Sequence, residues 1–405
     1  MTLLILILVT VLISTLHAYT NSRFSFRLLN QRLKLHNSVM MRSRQVSRLQ
    51  AELQDFNKQS LEEQNDPDND LPDDAFGASV GPLPTVSSRV NWEDVVVDET
   101  QLCDLWIVGC GTLGLLAAQQ YKQANPTASV IGETATTKNH EELKKMQIFP
   151  RLREERDDDM MRVARNIIVC IPPSAAFNNE AYEQELCAAY QAWAGPEYGN
   201  LVYTSSTAVY GDSYGNIVDE DFRLDTRTKR AATMISAEEA ILNRGGSVIR
   251  LAGLYTVDRG PHSYWLKSGE IKGDPEGTIN MLHYEDAAAV CLKALESPLR
   301  NQIYLASDDY PVSRQEICEA SLASGKYPDV SMPKFLEEVG PRQKRTNCKK
   351  TRELIGWEPK YPSFQSFMYG LGGKEFKMKE KLDENTLLLG GLDDDFGDMD
   401  FEISL

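Results

Sequence analysis

Little in the sequence can hold a metal ion or a disulfide. The seven cysteines (Cys103, Cys110, Cys170, Cys187, Cys291, Cys318 and Cys348) are odd in number, scattered, and never form a C-x-x-C pair. That excludes a disulfide framework and a zinc knuckle and leaves reduced structural thiols as the expectation. Only His140, His262 and His283 lie beyond residue 50, far apart, so no metal is expected. Acid is missing from the front of the chain: no Asp or Glu precedes Glu52, while seven Lys and Arg lie between Arg23 and Arg48. Removing those seven charges from the formal net charge of −16 leaves −23 on the rest. Such a balance repels nucleic acid and anionic lipid, and no nucleic-acid partner is expected.

The ends carry sequence of a different kind. Leu3 to Ile13 is apolar apart from Thr10 and leads into Ser14-Thr15-Leu16-His17-Ala18, a plausible cleavage point. A run this short does not span ~30 Å of hydrocarbon, so a signal peptide is expected in place of a stable membrane anchor. Tyr19 to Gln50, rich in Arg, Ser, Asn and Leu, has transit-peptide composition. Residues 1–50 together resemble the two-part presequence of plastid proteins in algae with complex plastids, and imply a chloroplast address; the alternative is the secretory pathway. Residues 51–100 read as an acidic linker containing Pro and Gly, and 376–405 as an acidic tail with too little apolar content to order itself.

Between the ends, strand and helix patterns alternate. Leu105 to Val108 is an apolar run ending in Gly109-Cys110-Gly111-Thr112-Leu113-Gly114, and helical composition follows. A G-x-G-x-x-G between a buried strand and a helix start points to a dinucleotide site. Gly109 permits the tight turn, Gly111 lets the backbone approach a pyrophosphate, and Gly114 lets helix and strand pack closely. The amides from Gly109 through Thr112 and Leu113 to Gly114 then face the phosphates. A strand at Ala128–Gly132 ends at Glu133 and Thr134. Glu133 suits the ribose hydroxyls of NAD, and Thr134 at that place would tolerate the 2′-phosphate of NADP; a solvated strand end is the plainer reading of Glu133, and the cofactor is NAD or NADP. Two further strands, Asn166–Ile171 and Leu201–Thr204, end in Pro172-Pro173-Ser174 and Ser205-Ser206-Thr207, which puts Ile171, Pro172 and Ser205 at the nicotinamide half. Cys110 reads either as a thiol made acidic by the helix start or simply as a small residue. Trp106 reads as core.

The run Leu201–Gly211 resembles the extended short-chain dehydrogenases/reductases, in their NAD-dependent epimerase/dehydratase branch. Val248–Tyr255, Asn280–Ala288, Asn301–Ser313 and Gly356–Ser363 resemble later segments of that family in the same order. The resemblance implies a doubly wound parallel α/β Rossmann domain over 101–255 and a smaller C-terminal substrate region over 256–375 that partly completes the sheet. It also implies substrate-facing roles for Thr207, Tyr210, Asn280 and His283, with packing as the commoner role of a Tyr in a Val-Tyr-Gly turn.

One part of the family pattern is absent. Ser206 matches the catalytic Ser/Thr, but the Tyr-x-x-x-Lys that exchanges the proton falls on Arg230 and Met234. None of the sixteen tyrosines is followed by Lys four residues on. Arg does not shuttle protons near neutrality, and Met offers no charge to a ribose. Three readings stay open: a dinucleotide-binding or regulatory protein without the reaction; an oxidoreductase or epimerase using another donor, such as Asp212, Tyr214, Asp219 or His283; and an interaction module that kept only the fold. A small-molecule substrate beside the dinucleotide stays open as a partner.

Overall fold

The computed structural model describes residues 102–378, apart from 156–163, 174–178, 212, 214 and 337–343. The expected presequence, linker and tail lie outside the described residues, as do Asp212 and Tyr214. Seven strands form one wholly parallel sheet: β1 (Cys103–Val108), β2 (Val130–Thr134), β3 (Phe149–Leu152), β4 (Ala164–Val169), β5 (Leu201–Ser206), β6 (Ser247–Leu251) and β7 (Ile303–Ala306). Their order is β7-β6-β5-β4-β1-β2-β3. Chain direction across the sheet therefore reverses between β1 and β4, the switch point where parallel sheets leave a crevice at their carboxyl ends. The doubly wound architecture is as expected. A strand from the late part of the chain, β7, joins the sheet.

Helices cover both faces. On one face α1 (Thr112–Ala124) and α6 (Tyr284–Glu296) bury Leu113, Ala117, Ala118, Ala288, Val290 and Cys291 against Leu105, Ile107 and Ile168. On the other, α3 (Asn179–Ala192) and α4 (Lys229–Leu242) pack Tyr182, Leu186, Ala237 and Ile241 onto Trp106, Val108, Ile167 and Tyr203. The strands are apolar on both faces because both are covered, and each large apolar side chain buried here contributes about 1.5–3 kcal/mol. Trp106 is core, as its run suggested, with the Arg151 guanidinium 5.0 Å from its ring centre. Two short helices, α2 (His140–Lys145) and α5 (Pro261–Ser268), lie between these, and α7 (Arg314–Ala323), α8 (Lys349–Ile355) and α9 (Phe364–Leu371) follow β7. Tyr255, Met281, Val312, Ile317, Phe364 and Met368 form a separate apolar cluster in this late region.

Several element boundaries differ from the expected ones. β2 runs two residues further, so Glu133 and Thr134 are strand residues, and β5 includes Ser205 and Ser206. β4 stops at Val169, leaving Ile171 in the loop that follows. β3 escaped the sequence reading; it is a four-residue edge strand that contains Pro150 and exposes Phe149, and edges are where a strand tolerates proline.

Candidate functional site

The glycine loop leaves β1 at the switch point, and its three glycines differ in what surrounds them. Gly109 has φ +86°, and a Cβ there would stand 2.9 Å from Ile171 Cγ1 and 3.1 Å from the Cys170 carbonyl carbon. Gly114 sits against β1: a Cβ would lie 2.8 Å from Ile107 Cγ2 and 3.0 Å from the Gly109 oxygen. Gly111 is the opposite case, with nothing within 4 Å of its Cβ position. So turn, close packing and open approach fall on the three positions in the expected order. Gly111 is also the N-cap of α1 and provides no side-chain cap, and the first turn of α1 carries no acid. The amides at Thr112, Leu113 and Gly114 thus begin a helix whose positive end is left for an anion.

The second strand ends differently from expectation. Glu133 is 1% exposed, which overturns the solvated reading; the Cys110 amide donates to its carbonyl oxygen at 2.6 Å, tying the glycine loop to β2. Pairing of β2 with β3 sets Arg151 beside it in register, a cation the linear sequence places eighteen residues away. The Thr134 hydroxyl donates to the Thr136 carbonyl at 2.9 Å and lies 2.8 Å from His140 Nε2, so its side chain is held within its own loop. Cys110 is buried, and burial pushes its thiol up to about 12, against any activation by the helix start. All seven cysteines are free. Among the described residues no cluster of His, Cys, Asp and Glu is arranged to hold a metal.

Across the switch point, Ile171 is buried under Gly109 and Pro172 is exposed. Ser205, expected at the nicotinamide, is turned into the protein, where its hydroxyl donates to Glu238 Oε1 at 2.5 Å. Alternation along β5 explains this: Ser205 and Ser206 point to opposite faces. The half-buried Ser206 caps the turn Thr207–Tyr210, its oxygen accepting from the Ala208 amide at 3.2 Å. Thr207 lies in that turn, 9% exposed.

Behind the turn is a polar network that the sequence reading missed. Arg250, 2% exposed, donates from Nη2 to Glu238 Oε2 at 2.8 Å, and from Nη1 to the Tyr210 hydroxyl at 3.1 Å and the Glu220 carbonyl at 3.0 Å. A lone arginine inside Ser247-Val248-Ile249-Arg250-Leu251 was the available signal, because a charge in a buried strand needs a buried partner. Tyr210 is therefore structural and does not face a substrate; burial pushes its hydroxyl well above the ordinary tyrosine range.

Asn280 is likewise committed. Its amide donates to the Lys344 carbonyl at 2.9 Å, and its oxygen accepts from the Thr346 amide and hydroxyl at 3.1 and 3.0 Å. It braces the segment around residues 345–346, so its expected substrate role is corrected. His283 is the N-cap of α6, with Nδ1 accepting from the Glu285 amide at 3.2 Å, which leaves the proton on Nε2. Its ring lies between Tyr361 (4.1 Å between ring centres), Phe367 (4.8 Å) and Tyr255 (5.2 Å). Burial among these rings lowers its pKa to about 4 despite the nearby Glu285 carboxylate. A neutral, stacked cap is a structural residue in this setting. Next to it, Asp286 accepts from the Lys360 and Tyr361 amides at 2.7 and 3.0 Å, anchoring the Gly356–Ser363 element.

Arg230 is exposed in the first turn of α4, and Met234, one turn on, is buried with Val209, Tyr210 and Leu305. Asp219 is exposed on the loop between β5 and α4.

No family model matches the chain. It is 25% identical over 208 residues to protein YeeZ of Escherichia coli, covering 49% of this chain and 75% of that one. A conserved protein of unknown function from Silicibacter pomeroyi has a similar structure, with a TM-score of 0.55 at 23% identity, covering 68% of this chain and all of the other. The dTDP-glucose 4,6-dehydratase of Bacillus anthracis, crystallised with NAD, gives 0.54 at 15% identity over 67% and 96% of the two chains. The UDP-glucuronic acid 4-epimerase of Bacillus cereus, also with NAD, gives 0.53 at 18% over 67% and 95%. Sheet order, glycine loop and these likenesses agree on the fold: the chain is a Rossmann-like parallel α/β protein, similar in structure to an NAD-bound dehydratase and an NAD-bound epimerase.

Proposed function

We propose that this protein binds NAD(H) or NADP(H) across the carboxyl edge of its sheet and serves as a dinucleotide-binding or regulatory protein without the proton-exchanging Tyr-x-x-x-Lys of the family its sequence resembles. The open space at Gly111 carries the reading. It is the one glycine of the loop whose missing side chain leaves room outward, at the uncapped start of α1, while Gly109 and Gly114 are glycine for internal reasons. The pyrophosphate would lie on the amides of Gly111–Gly114, the adenosine ribose near Glu133, and the nicotinamide half toward Ile171, Pro172, Ser206 and Thr207. That the dehydratase and epimerase above were crystallised with NAD supports the same reading. A bound nicotinamide supplies hydride transfer, but the chain offers Arg230 and Met234 where a proton donor and its partner would stand. Neither moves a proton at neutral pH. The composition of residues 1–50 supports delivery to a plastid.

Calorimetric titration of the full chain with NAD+, NADH, NADP+ and NADPH tests this. Saturable heat with at least one is expected, and its loss in Gly111→Val. Silence with all four would overturn the reading in favour of an interaction module.

A further inference from the structure

Between α1, α6 and residues 356–358 lies an open groove of about 340 Å³ that dinucleotide binding does not use. The polar groups on its rim are engaged with one another or with their neighbours. Gln120 donates to the Glu285 carbonyl at 3.0 Å, Lys293 pairs with Glu296 at 2.8 Å, and Glu358 pairs with Arg352. What the groove offers is the apolar lining of Ala289, Leu292 and Trp357. It also offers one donor: the Trp357 indole N–H is buried and has no hydrogen-bond acceptor among the described residues. A buried donor without an acceptor is destabilising, and a carbonyl arriving in the groove would relieve it.

The chain leaves the described region close to this groove. Phe376 stacks on Tyr369 of α9, with 5.4 Å between ring centres, and meets Tyr310 edge-on at 6.2 Å. Asp309, next to Tyr310, pairs with Arg352 at 3.2 Å. Arg352 in turn bonds Glu358 on the rim and lies 5.7 Å from the Trp357 ring centre. A short relay of side chains therefore joins Phe376 to the groove. Eleven residues past Phe376 comes Leu387-Leu388-Leu389-Gly390-Gly391-Leu392, an apolar run between Asp383-Glu384 and Asp393-Asp394-Asp395. Eleven extended residues reach up to about 40 Å, more than such a relay needs. The two glycines carry no side chain to keep their carbonyls from a close approach.

We infer that residues 387–392 dock in this groove of their own chain, with leucine side chains on Ala289, Leu292 and Trp357 and a backbone carbonyl on the Trp357 indole N–H. The tail has too little apolar content to order itself, and the groove supplies the apolar partner it lacks. Tethering makes the contact intramolecular, at an effective concentration in the millimolar range, so a shallow apolar contact suffices. It fastens α1, the helix that starts at the glycine loop, to α6 and to the Trp357 element.

The test times cleavage of the full chain at Asp393 by a protease that cuts before aspartate; no dinucleotide is needed. Replacing all three leucines (Leu387→Ser, Leu388→Ser and Leu389→Ser) should speed that cleavage about fivefold or more, because cutting follows the undocked population. Ala289→Gln, which fills the groove, should do the same, whereas Ala124→Gln, exposed at the end of α1, should leave the rate unchanged. A second measurement leaves the body of the protein unaltered. The Trp357 indole N–H resonance, assigned by its absence in Trp357→Phe, should shift and exchange faster with solvent in the triple-serine chain, while the other indole signals stay. Equal cleavage of parent and triple-serine chain, or an unmoved Trp357 signal, overturns the inference. Protection that grows with protein concentration also overturns it, since the tail would then belong to a second copy.

Discussion

At the scale of single residues, the glycine loop separates structural from functional need. A methyl group at Gly114 meets Ile107 at 2.8 Å and backbone at 3.0 Å, so Gly114→Ala should lower stability by about 1–3 kcal/mol through overpacking. A methyl group at Gly111 meets nothing, so Gly111→Ala should cost no more than about 1 kcal/mol, the ordinary preference of an N-cap for glycine over alanine, and act chiefly on dinucleotide affinity. Denaturant melts of the two variants beside a dinucleotide titration check this; an unstable Gly111→Ala would mean that the loop needs glycine for folding. These roles were legible in the sequence because the spacing of the glycines encodes them. The fates of Ser205, Tyr210 and Asn280 were not. Each is a polar residue at the crevice end of an element, and only three-dimensional neighbours decide whether it faces a ligand or an internal partner. For Ser205 the partner is Glu238, thirty-three residues away.

At the scale of elements, the central strands were legible from their apolar runs, and the edge was not. β3 has four residues, a proline and an exposed phenylalanine, and it exists because β2 offers it a ladder. Its consequence is electrostatic, since it brings Arg151 beside Glu133. The network of Glu238, Arg250 and Tyr210 joins α4, β6 and the turn after β5 in the same nonlocal way, and removing one partner of such a buried ion pair typically costs about 3–5 kcal/mol. The start of α6 yields a pH prediction. His283 caps it in the neutral form, with a pKa lowered from 6.5 to about 4 by burial among Tyr255, Tyr361 and Phe367. Between those values the unfolded chain binds the proton and the folded one does not. The stabilisation is therefore complete above pH 6.5 and is lost as pH falls toward 4. Glu285, held low by Lys360 and Tyr361, adds to acid sensitivity below the ordinary carboxylate range, whereas Asp286, raised by burial, opposes it. Comparison with His283→Asn cancels both carboxylates. The parent should lose about 3 kcal/mol more than the variant between pH 7 and pH 4 in denaturant titrations. Equal slopes would mean that the histidine is protonated in the folded protein.

At the scale of the whole molecule, charge is segregated along the chain. Seven cations and no acid lie in the first fifty residues, and the balance beyond them is −23. For the proposed plastid delivery, the order of the two segments within residues 1–50 is the informative feature. An apolar run of signal-peptide length comes first and a basic segment without acids follows, so the two are read in succession if the run is cleaved near Ala18. In a single-step secretory route the basic segment would have no role. In a two-step route it becomes the new N-terminus and supplies the second address. A fluorescent protein fused behind the first sixty residues should therefore reach the plastid of an alga with complex plastids. Deleting Leu3–Ile13 should leave it in the cytosol, and replacing the seven cations with Gln should stop it after the first membrane. Secretion of the intact fusion, or recovery of the plastid protein with Met1 still attached, would overturn the two-step reading. The dinucleotide proposal concerns only residues beyond 102 and would stand unchanged.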